Sequence, residues 1–268
     1  MRIFGEYKDA LVLIGGWTPY FLLEHSASGV DSAESGFGAR PFRHVGSIDI
    51  DLAVNPDRIT GEEYSTIVQL LRDRDYDPDL EIRFRLNRTL PGMATPIGVD
   101  FLTSKPPKGD GRGRRHRKVQ ADLDARATEH LEIAFALNER YALEGELPEG
   151  GGLTRTEFNL ASLPAIFALK GLAMGYFGRY KEKDAYDVYA LARYYGRGIE
   201  DVVAELKPHL GREALRISLG HIRESFKSIA HTGPKQVAKF IEATPEEEQG
   251  IVQDAFLSVD SVLRGCRF

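Results

Sequence analysis

The pattern of apolar and polar residues near the start of the chain predicts a strand, a tight turn and a helix. An apolar run at residues 10–14 ends at Gly15 and Gly16, and a second apolar stretch begins at Trp17. Glycine pairs are typical of tight turns, so the second stretch is predicted to start a helix. Residues 26–41 are rich in Ser, Gly and acidic residues without an apolar period, which is typical of a surface loop.

A second predicted strand carries two aspartates. Residues 46–54, GSIDIDLAV, alternate between polar and apolar positions, so a strand would place Asp49 and Asp51 on one face. A third aspartate, Asp100, lies inside another predicted strand at residues 97–102.

The remaining pattern predicts more strands and then a run of helices. The spacing predicts a helix at 61–74, strands at 81–86, 132–137, 141–147 and 154–160, and helices after Ser162, a candidate helix N-cap. We therefore expect an α+β, or mixed α/β, fold. A domain built on a mixed sheet would occupy residues 1–161 and a helical domain residues 162–268.

Composition and charge narrow the class of protein. The chain has 268 residues, of which 42% are hydrophobic and 28% charged, as in an ordinary soluble globular protein. The formal net charge of -5 argues against a globally basic nucleic-acid-binding surface but leaves room for a local one. The single cysteine, Cys266, suits a reducing compartment. No apolar run approaches the roughly 20 residues of a membrane helix, and the first eight residues are too polar for a signal peptide, so we expect a cytoplasmic protein without a membrane partner.

The three aspartates point to a metal site. Their mutual repulsion would raise their pKa values unless a cation neutralised them, and oxygen ligands select Mg²⁺ or Mn²⁺. Such a site suits phosphoryl or nucleotidyl transfer. The alternative for Asp49 and Asp51 is a pair of solvated carboxylates at a sheet edge.

Other residues suit a bound nucleotide. Backbone N–H groups of the Gly15-Gly16 turn would be able to approach phosphate at the start of a helix. Lys170 supplies a positive charge, and Asp184 and Asp187 share a helix face. Because Lys183 lies four residues before Asp187, an ion pair between them would indicate a structural role for Asp187.

These segments together resemble a known family. The sequences GGW near the start, GSIDIDL, VDFL and LKGLAMGYFGRYKEKDAYDVYAL are similar to AbiEii-type nucleotidyltransferases, relatives of the MenT toxins within the DNA polymerase β-like superfamily. The resemblance covers roughly residues 11–191. It implies that Asp49 and Asp51 bind two Mg²⁺ ions and the phosphates of an NTP donor, with Asp100 as the third carboxylate. These three residues would be both metal ligands and catalytic residues.

The resemblance also implies that residues 1–161 form a nucleotidyltransferase-like mixed sheet domain and that residues 162–268 form a helical domain completing the nucleotide site. Lys170 corresponds to the family lysine that contacts the triphosphate, and Asp184 to the aspartate of the following motif. In the superfamily a Gly-Ser turn lies well upstream of the D-x-D motif. Here Gly15-Gly16 occupies that place, while Ser47 lies two residues before Asp49. The glycine pair and Ser47 are therefore the candidates for phosphate contact.

Several other residues have two interpretations. Residues 105–118 contain seven Lys or Arg and one Asp, and either bind acceptor phosphates or form a solvated loop. Arg40 and Arg43 either hold phosphate or pair with nearby acids. The aromatic residues between 176 and 189 either stack on a base or pack between helices. His44, beside the D-x-D strand, either approaches substrate or is a single histidine without a chemical role, and no histidine spacing typical of a zinc site is present.

Three functions remain open at this point. The first is an Mg²⁺-dependent nucleotidyltransferase that moves an NMP from an NTP to an RNA hydroxyl, such as one of tRNA, and acts as the toxin opposite a cognate antitoxin. The second is the same chemistry on a small molecule or a protein. The third is a catalytically silent nucleotide-binding module.

Overall fold

A mixed β-sheet and a set of α-helices form the described part of the protein in a computed structural model, which confirms the predicted α+β class. The structure describes residues 5, 7–27, 42–59, 65–106, 115–146, 151–176 and 182–268. Most of the predicted loop at 26–41 lies outside these residues, whereas Ser26 belongs to the first helix.

The sheet has parallel and antiparallel neighbours. Its described strands are β1 (Leu11–Ile14), β2 (Ile50–Val54), β3 (Asp77–Pro78), β4 (Arg85–Arg88), β5 (Ile97–Ser104), β6 (His116–Gln120), β7 (Leu123–Thr128), β8 (Asn138–Glu146) and β9 (Leu153–Ala161). They lie in the order β3-β4-β5-β2-β1-β9-β8, and β7 pairs with both β5 and β6. Strand β2 is antiparallel to β1 and parallel to β5, so it lies in the middle of the sheet.

The helices begin and end at recognisable signals. They are α1 (Trp17–Ala27), α2 (Ile67–Arg72), α3 (Glu132–Ala136), α4 (Leu163–Met174), α5 (Glu182–Tyr194), α6 (Ile199–Leu206), α7 (Glu213–Ser225), α8 (Thr232–Phe240) and α9 (Pro245–Gly265). Capping boxes start α2, with Thr66 and Gln69, and α9, with Thr244 and Glu247. Among the described residues, no helix has the length and apolarity needed to cross a membrane.

The chain divides into two compact units. Unit 1 comprises Met1–Trp17 and Ser47–Ser162 and contains the sheet; unit 2 comprises Thr18–Gly46 and Leu163–Phe268 and contains α4 to α9. The two predicted domains met at residue 161. In the structure, the described segments 18–27 and 42–46 group with the C-terminal helices rather than with the sheet.

Each unit has its own apolar core. In unit 1, Leu52, Phe101 and Leu160 come from three different strands and are completely buried. In unit 2, Phe167 on α4 and Leu191 on α5 are buried in the same way. Removal of this apolar surface from water is the main stabilising contribution in both units.

Strong local patterns were predicted well. The strand at 10–14, the glycine turn, the helix after it, and the strands at 97–102 and 154–160 are confirmed as β1, α1, β5 and β9. The strand predicted at 132–137 is wrong, because Glu132–Ala136 form α3. The side chain of Asn138 donates to the carbonyls of Ala134 and Phe135 and completes the end of this helix.

Two strands begin later in the chain than predicted because side chains form hydrogen bonds before them. Strand β2 begins at Ile50 rather than residue 46, since the side chain of Asp49 accepts the Gly98 N–H at 3.1 Å and thereby replaces a backbone partner. Strand β4 begins at Arg85, because Asp79 accepts two backbone N–H groups in the preceding turn.

Candidate active site

A row of charged side chains crosses three neighbouring strands of unit 1. Asp51 on β2 lies directly opposite Asp100 on β5, and Asp100 lies opposite Arg85 on β4. Residues directly opposite each other in neighbouring strands point to the same face of a sheet. Asp49 reaches this row from the bend before β2, where its carboxylate contacts Arg85. We call Asp49, Asp51 and Asp100 the carboxylate cluster.

Arg85 bridges two members of the carboxylate cluster. Its Nε atom donates to Asp100 Oδ1 at 2.6 Å, and its Nη2 atom donates to Asp100 Oδ2 at 2.8 Å and to Asp49 Oδ2 at 3.1 Å. The planar guanidinium matches a carboxylate with two parallel hydrogen bonds. The hydrogen bonds to Asp100 hold the pKa of Arg85 above its ordinary value. Arg85 is therefore a fixed positive charge.

Two glycines make room for these carboxylates. Gly15 has a φ of +73°, and a Cβ at this position would collide with the carboxylate of Asp51. A Cβ at Gly98 would lie 2.8 Å from Asp49 Oδ1 and 3.2 Å from Arg85 Cζ. The position of the Asp51 carboxylate thus explains why Gly15 is a glycine, without any contact to phosphate.

A second group of charges is buried inside unit 2. Lys170 on α4 places its Nζ atom 2.8 Å from Asp184 Oδ1 and 2.6 Å from Asp187 Oδ2, both on α5. Lys183 Nζ lies 3.0 Å from Asp187 Oδ1, which confirms the predicted ion pair. Lys170, Asp184 and Asp187 are each at most 8% exposed. We call these four residues and His44 the lysine–aspartate network.

His44 joins this network from the segment before β2. Its Nε2 atom lies 2.9 Å from Asp187 Oδ1, and its Nδ1 atom accepts the Gly46 N–H at 3.0 Å. Since Nδ1 accepts, the proton of the neutral ring is on Nε2 and is donated to Asp187. Phe42 stacks on Tyr194, with ring centroids 3.8 Å apart and nearly parallel planes. This segment is therefore attached to α5 at two points.

Burial and charge oppose each other in this network. Burial alone would raise the pKa of Asp187, but the charge of Lys170 and the hydrogen bond from His44 outweigh it and hold the pKa below its ordinary value. Burial would lower the pKa of Lys170, but the carboxylates of Asp187 and Asp184 keep it above its ordinary value. For His44 burial prevails and lowers the pKa. At neutral pH, Lys170 and Asp187 are charged and His44 is neutral.

Sequence reasoning missed Arg85. It lies at the end of a predicted strand, but the pairing that places it opposite Asp100 joins residues 15 positions apart in the chain. One signal was available in the sequence: carboxylates crowded on one sheet face require basic partners. Sequence reasoning left the role of His44 open and did not foresee its direct contact with Asp187.

The predicted nucleotide contacts stay predictions. The ammonium of Lys170, expected at the triphosphate, is held by Asp184 and Asp187 in this structure. Gly16 is buried at the turn before α1, and Ser47 is half-buried in the bend before β2. No contact of these two residues with phosphate follows from their positions alone.

The ligand type of the carboxylate cluster suits a hard divalent cation. Asp51 and Asp100 lie opposite each other, and carboxylate oxygens are the ligands that Mg²⁺ and Mn²⁺ prefer. As arranged, however, the part of the chain that the structure describes contains no group of three or more His, Cys, Asp or Glu side chains set to hold a metal ion. Arg85 occupies oxygens of both Asp49 and Asp100. The donors fit the ion, and Arg85 would have to move before all three carboxylates could share it.

The other candidates have ordinary partners where they are described. Lys105 pairs with Glu129 at 2.5 Å and Arg117 with Asp57 at 3.3 Å, while residues 107–114 of the basic segment lie outside the described residues. His116, predicted in that loop, begins β6.

The described aromatic residues of α5 pack between helices rather than facing an open surface. The ring of Tyr186 lies 4.6 Å from that of Phe240, and the hydroxyl of Tyr189 donates to Asp254 at 2.6 Å. Arg43 donates to the hydroxyl of Tyr20 at 3.3 Å. Arg40 lies outside the described residues.

The fold and this site define an α+β protein with a carboxylate cluster on the sheet and a buried lysine–aspartate network on the helices. The family model described as "Nucleotidyl transferase AbiEii toxin, Type IV TA system" matches residues 42–256. The match spans most of the chain, so the chain belongs to this family. Family membership indicates nucleotidyl transfer in a toxin–antitoxin system. Comparisons with curated proteins and with solved structures found no match.

Loss of the Asp187 charge is expected to destabilise the protein strongly. Asp187→Asn removes a carboxylate that pairs with both Lys170 and Lys183, and the remaining Asp184 can balance only one of the two charges. Breaking a buried ion pair in this way costs about 3–5 kcal/mol. Urea unfolding should show this loss at neutral pH. Asp260→Asn, which breaks an i,i+4 pair with Arg264 on α9, is the control and should cost less than about 1 kcal/mol. A similar small cost for both variants would contradict the importance of the network.

His44 is expected to make stability fall with acidification. Because burial lowers its pKa from the ordinary 6.5, the unfolded chain takes up this proton first as the pH falls. The stability that His44 contributes is therefore complete above 6.5 and is lost as the pH falls below that value. His44→Gln keeps a donor for Asp187 but does not titrate, so its free energy of unfolding should fall less between about pH 7 and pH 5.

The control for this measurement is His25→Gln, at an exposed position in α1. It should retain the parental pH dependence. Equal slopes for His44→Gln and the parent would show that His44 does not titrate in this way.

Proposed function

We propose that this protein is an Mg²⁺-dependent nucleotidyltransferase that moves an NMP from an NTP to an acceptor hydroxyl, with RNA such as tRNA as the acceptor. In this proposal it is the toxin of a toxin–antitoxin pair. The family match supports nucleotidyl transfer as the class of reaction. The Mg²⁺ dependence and the RNA acceptor are our proposal.

One observation carries this proposal. Asp51 lies directly opposite Asp100 in the middle of the sheet, and Asp49 reaches the same face. Oxygen ligands from neighbouring strands, with no sulfur or imidazole among them, are the donor set that Mg²⁺ prefers. A metal ion held by such donors would supply the charge that nucleotidyl transfer needs at the triphosphate and at the attacking hydroxyl.

The proposed reaction transfers an NMP from the NTP to the acceptor hydroxyl. The acceptor oxygen loses its proton and bonds to the α-phosphorus, while the bond to the β-phosphate oxygen breaks and pyrophosphate leaves. Bound Mg²⁺ would supply the charge that activates the hydroxyl and stabilises the leaving group. Asp49 and Asp51 would hold the ion, and Asp100 would complete its ligand set and accept the proton from the hydroxyl.

The lysines of the lysine–aspartate network are proposed to contact the triphosphate of the nucleotide. Lys170 would contact the triphosphate only after leaving one of its two carboxylates, since both are within 2.8 Å. Lys183 has a side chain that is 26% exposed and is the more accessible cation. Asp184 would fix the ammonium of Lys170.

The proposed RNA acceptor requires a local positive surface. The chain carries a formal charge of -5, which repels phosphate, and the segment 105–118 is the densest run of basic residues in its sequence. Phosphate contacts position a nucleic acid without reading its sequence.

Loss of a metal ligand is expected to abolish transfer without unfolding the protein. Asp49→Asn and Asp51→Asn keep the side-chain volume and remove a negative oxygen, so transfer of label from an α-³²P NTP should fall about a hundredfold or more. Asp77→Asn, at an exposed position of β3, is the control and should retain the parental rate. Parental rates in both variants, with unchanged circular dichroism, would remove these aspartates from the mechanism.

The acceptor is tested by following the same label into tRNA, protein and small hydroxylated molecules. We expect label in tRNA and none when Asp51→Asn replaces the parent. Label only in protein or a small molecule would give the acceptor of the second function. NTP binding without any transfer would indicate the silent binding module.

Charge removal in the basic segment is expected to weaken RNA binding selectively. Changing Arg112, Arg114, Arg115 and Arg117 to Gln should flatten the dependence of log affinity on log salt by about 0.7–0.9 for each lost phosphate contact. A matched control removes the same number of charges elsewhere, at the side chains of Arg155, Arg193, Arg197 and Arg264. Equal salt slopes for both variants would show that RNA does not bind at the segment.

A further inference from the structure

Arg85 lies where a cation shared by Asp49 and Asp100 would have to lie. Its Nη2 atom contacts both carboxylates, at 3.1 Å from Asp49 Oδ2 and 2.8 Å from Asp100 Oδ2. The pairing of β4 with β5 places Arg85 directly opposite Asp100, so the sheet itself directs this side chain to the carboxylate cluster. Only 24% of the Arg85 side chain is exposed.

Gly98 lies beside the contact between Arg85 and Asp49. Its N–H donates to Asp49 Oδ1 at 3.1 Å, and a Cβ here would press on Asp49 Oδ1 and on the guanidinium of Arg85. The absence of a side chain at Gly98 therefore lets Asp49 and Arg85 approach each other. A glycine, a strand register and three hydrogen bonds all support this one arrangement.

A divalent cation cannot bind these carboxylates with Arg85 in its present position. Mg²⁺ requires oxygens at about 2.0–2.1 Å in nearly ideal octahedral geometry, and it would use oxygens that now accept N–H groups. The guanidinium would also repel the ion at short range. One of the two cations must withdraw.

The contact to Asp49 is the one that can be released. Asp100 accepts two hydrogen bonds from Arg85, at 2.6 and 2.8 Å, and its side chain is 14% exposed. Asp49 accepts one at 3.1 Å, and its side chain is 39% exposed. The bidentate pair is the stronger, so Arg85 would leave Asp49 and keep Asp100. The two oxygens of Asp100 have about four lone-pair sites, so Asp100 can accept from Arg85 and still offer one oxygen lone pair to the ion.

We propose that Arg85 is an exchangeable counter-ion, which balances part of the negative charge of Asp49 and Asp100 when no metal is bound and releases Asp49 to a divalent cation. The inference rests on the proposed function, since it requires that the carboxylate cluster bind such an ion. It makes Arg85 a positioning residue that sets metal affinity. A purely structural arginine would stabilise the sheet without competing with the metal.

The two roles are separated by measuring metal binding directly. Arg85→Met removes the charge and keeps much of the side-chain length, and Mn²⁺ is titrated into the full chain by calorimetry. Loss of a unit charge about 5 Å from a divalent ion should tighten Mn²⁺ binding by about tenfold in water-like screening. The metal-free variant should melt at a lower temperature than the parent, and Mn²⁺ should raise its melting temperature by more.

Arg88→Met is the matched control on the same strand. Arg88 lies opposite Ile97 and contacts Asp75 at 3.4 Å, so its loss should leave Mn²⁺ affinity at the parental value. Arg85→Lys keeps the charge but loses the planar fork. It should tighten Mn²⁺ binding less than Arg85→Met, and it replaces that variant if Arg85→Met does not fold.

The outcomes distinguish this inference from the proposed function. Tighter binding in Arg85→Met, with parental binding in Arg88→Met, supports the exchange. Equal or weaker Mn²⁺ binding in Arg85→Met overturns the exchange. In that case the proposed metal site is still supported if the parent binds Mn²⁺ and Asp51→Asn does not. If the parent, Arg85→Met and Arg85→Lys all fail to bind Mn²⁺, both the exchange and the proposed metal site are overturned.

Discussion

A fully buried carboxylate has to be neutralised inside the protein, and Asp187 sets this requirement for unit 2. Its side chain is inaccessible to water, and an uncompensated charge in such a place costs several kcal/mol. Lys170 from α4 and Lys183 from α5 supply the compensating charge, and His44 supplies a hydrogen bond from a distant part of the chain. One carboxylate thereby determines how α4, α5 and the segment before β2 are joined.

The same requirement is met differently in unit 1. Arg85 supplies one positive charge to both Asp49 and Asp100, and the Asp49 side chain is more than a third exposed, with the longest of the three hydrogen bonds to Arg85. Water can replace a partner at an exposed carboxylate at little cost, whereas it cannot reach Asp187. The lysine–aspartate network is therefore suited to holding a structure, and the carboxylate cluster to exchanging a partner.

Contacts between residues close in the chain could be predicted, and contacts set by tertiary structure could not. The pair of Lys183 and Asp187 follows from helical spacing and was predicted. The contact of His44 with Asp187 spans 143 residues, and that of Arg85 with Asp100 depends on strand register. The aspartates of the candidate site were visible as a motif, whereas the groups that neutralise them depend on the completed fold.

Because Asp49, Asp100, Lys170 and Lys183 already have ionic partners, ligands would have to bind there by exchange under the proposed function. A monovalent cation has no more charge to offer Asp49 than Arg85 does, whereas a divalent cation offers twice as much to the same oxygens. A triphosphate has the corresponding advantage over Asp187, the singly charged carboxylate that pairs with the partly exposed Lys183. Internal ion pairs of this kind favour multiply charged ligands, so under the proposed function the pairs that stabilise the protein would also contribute to its selectivity.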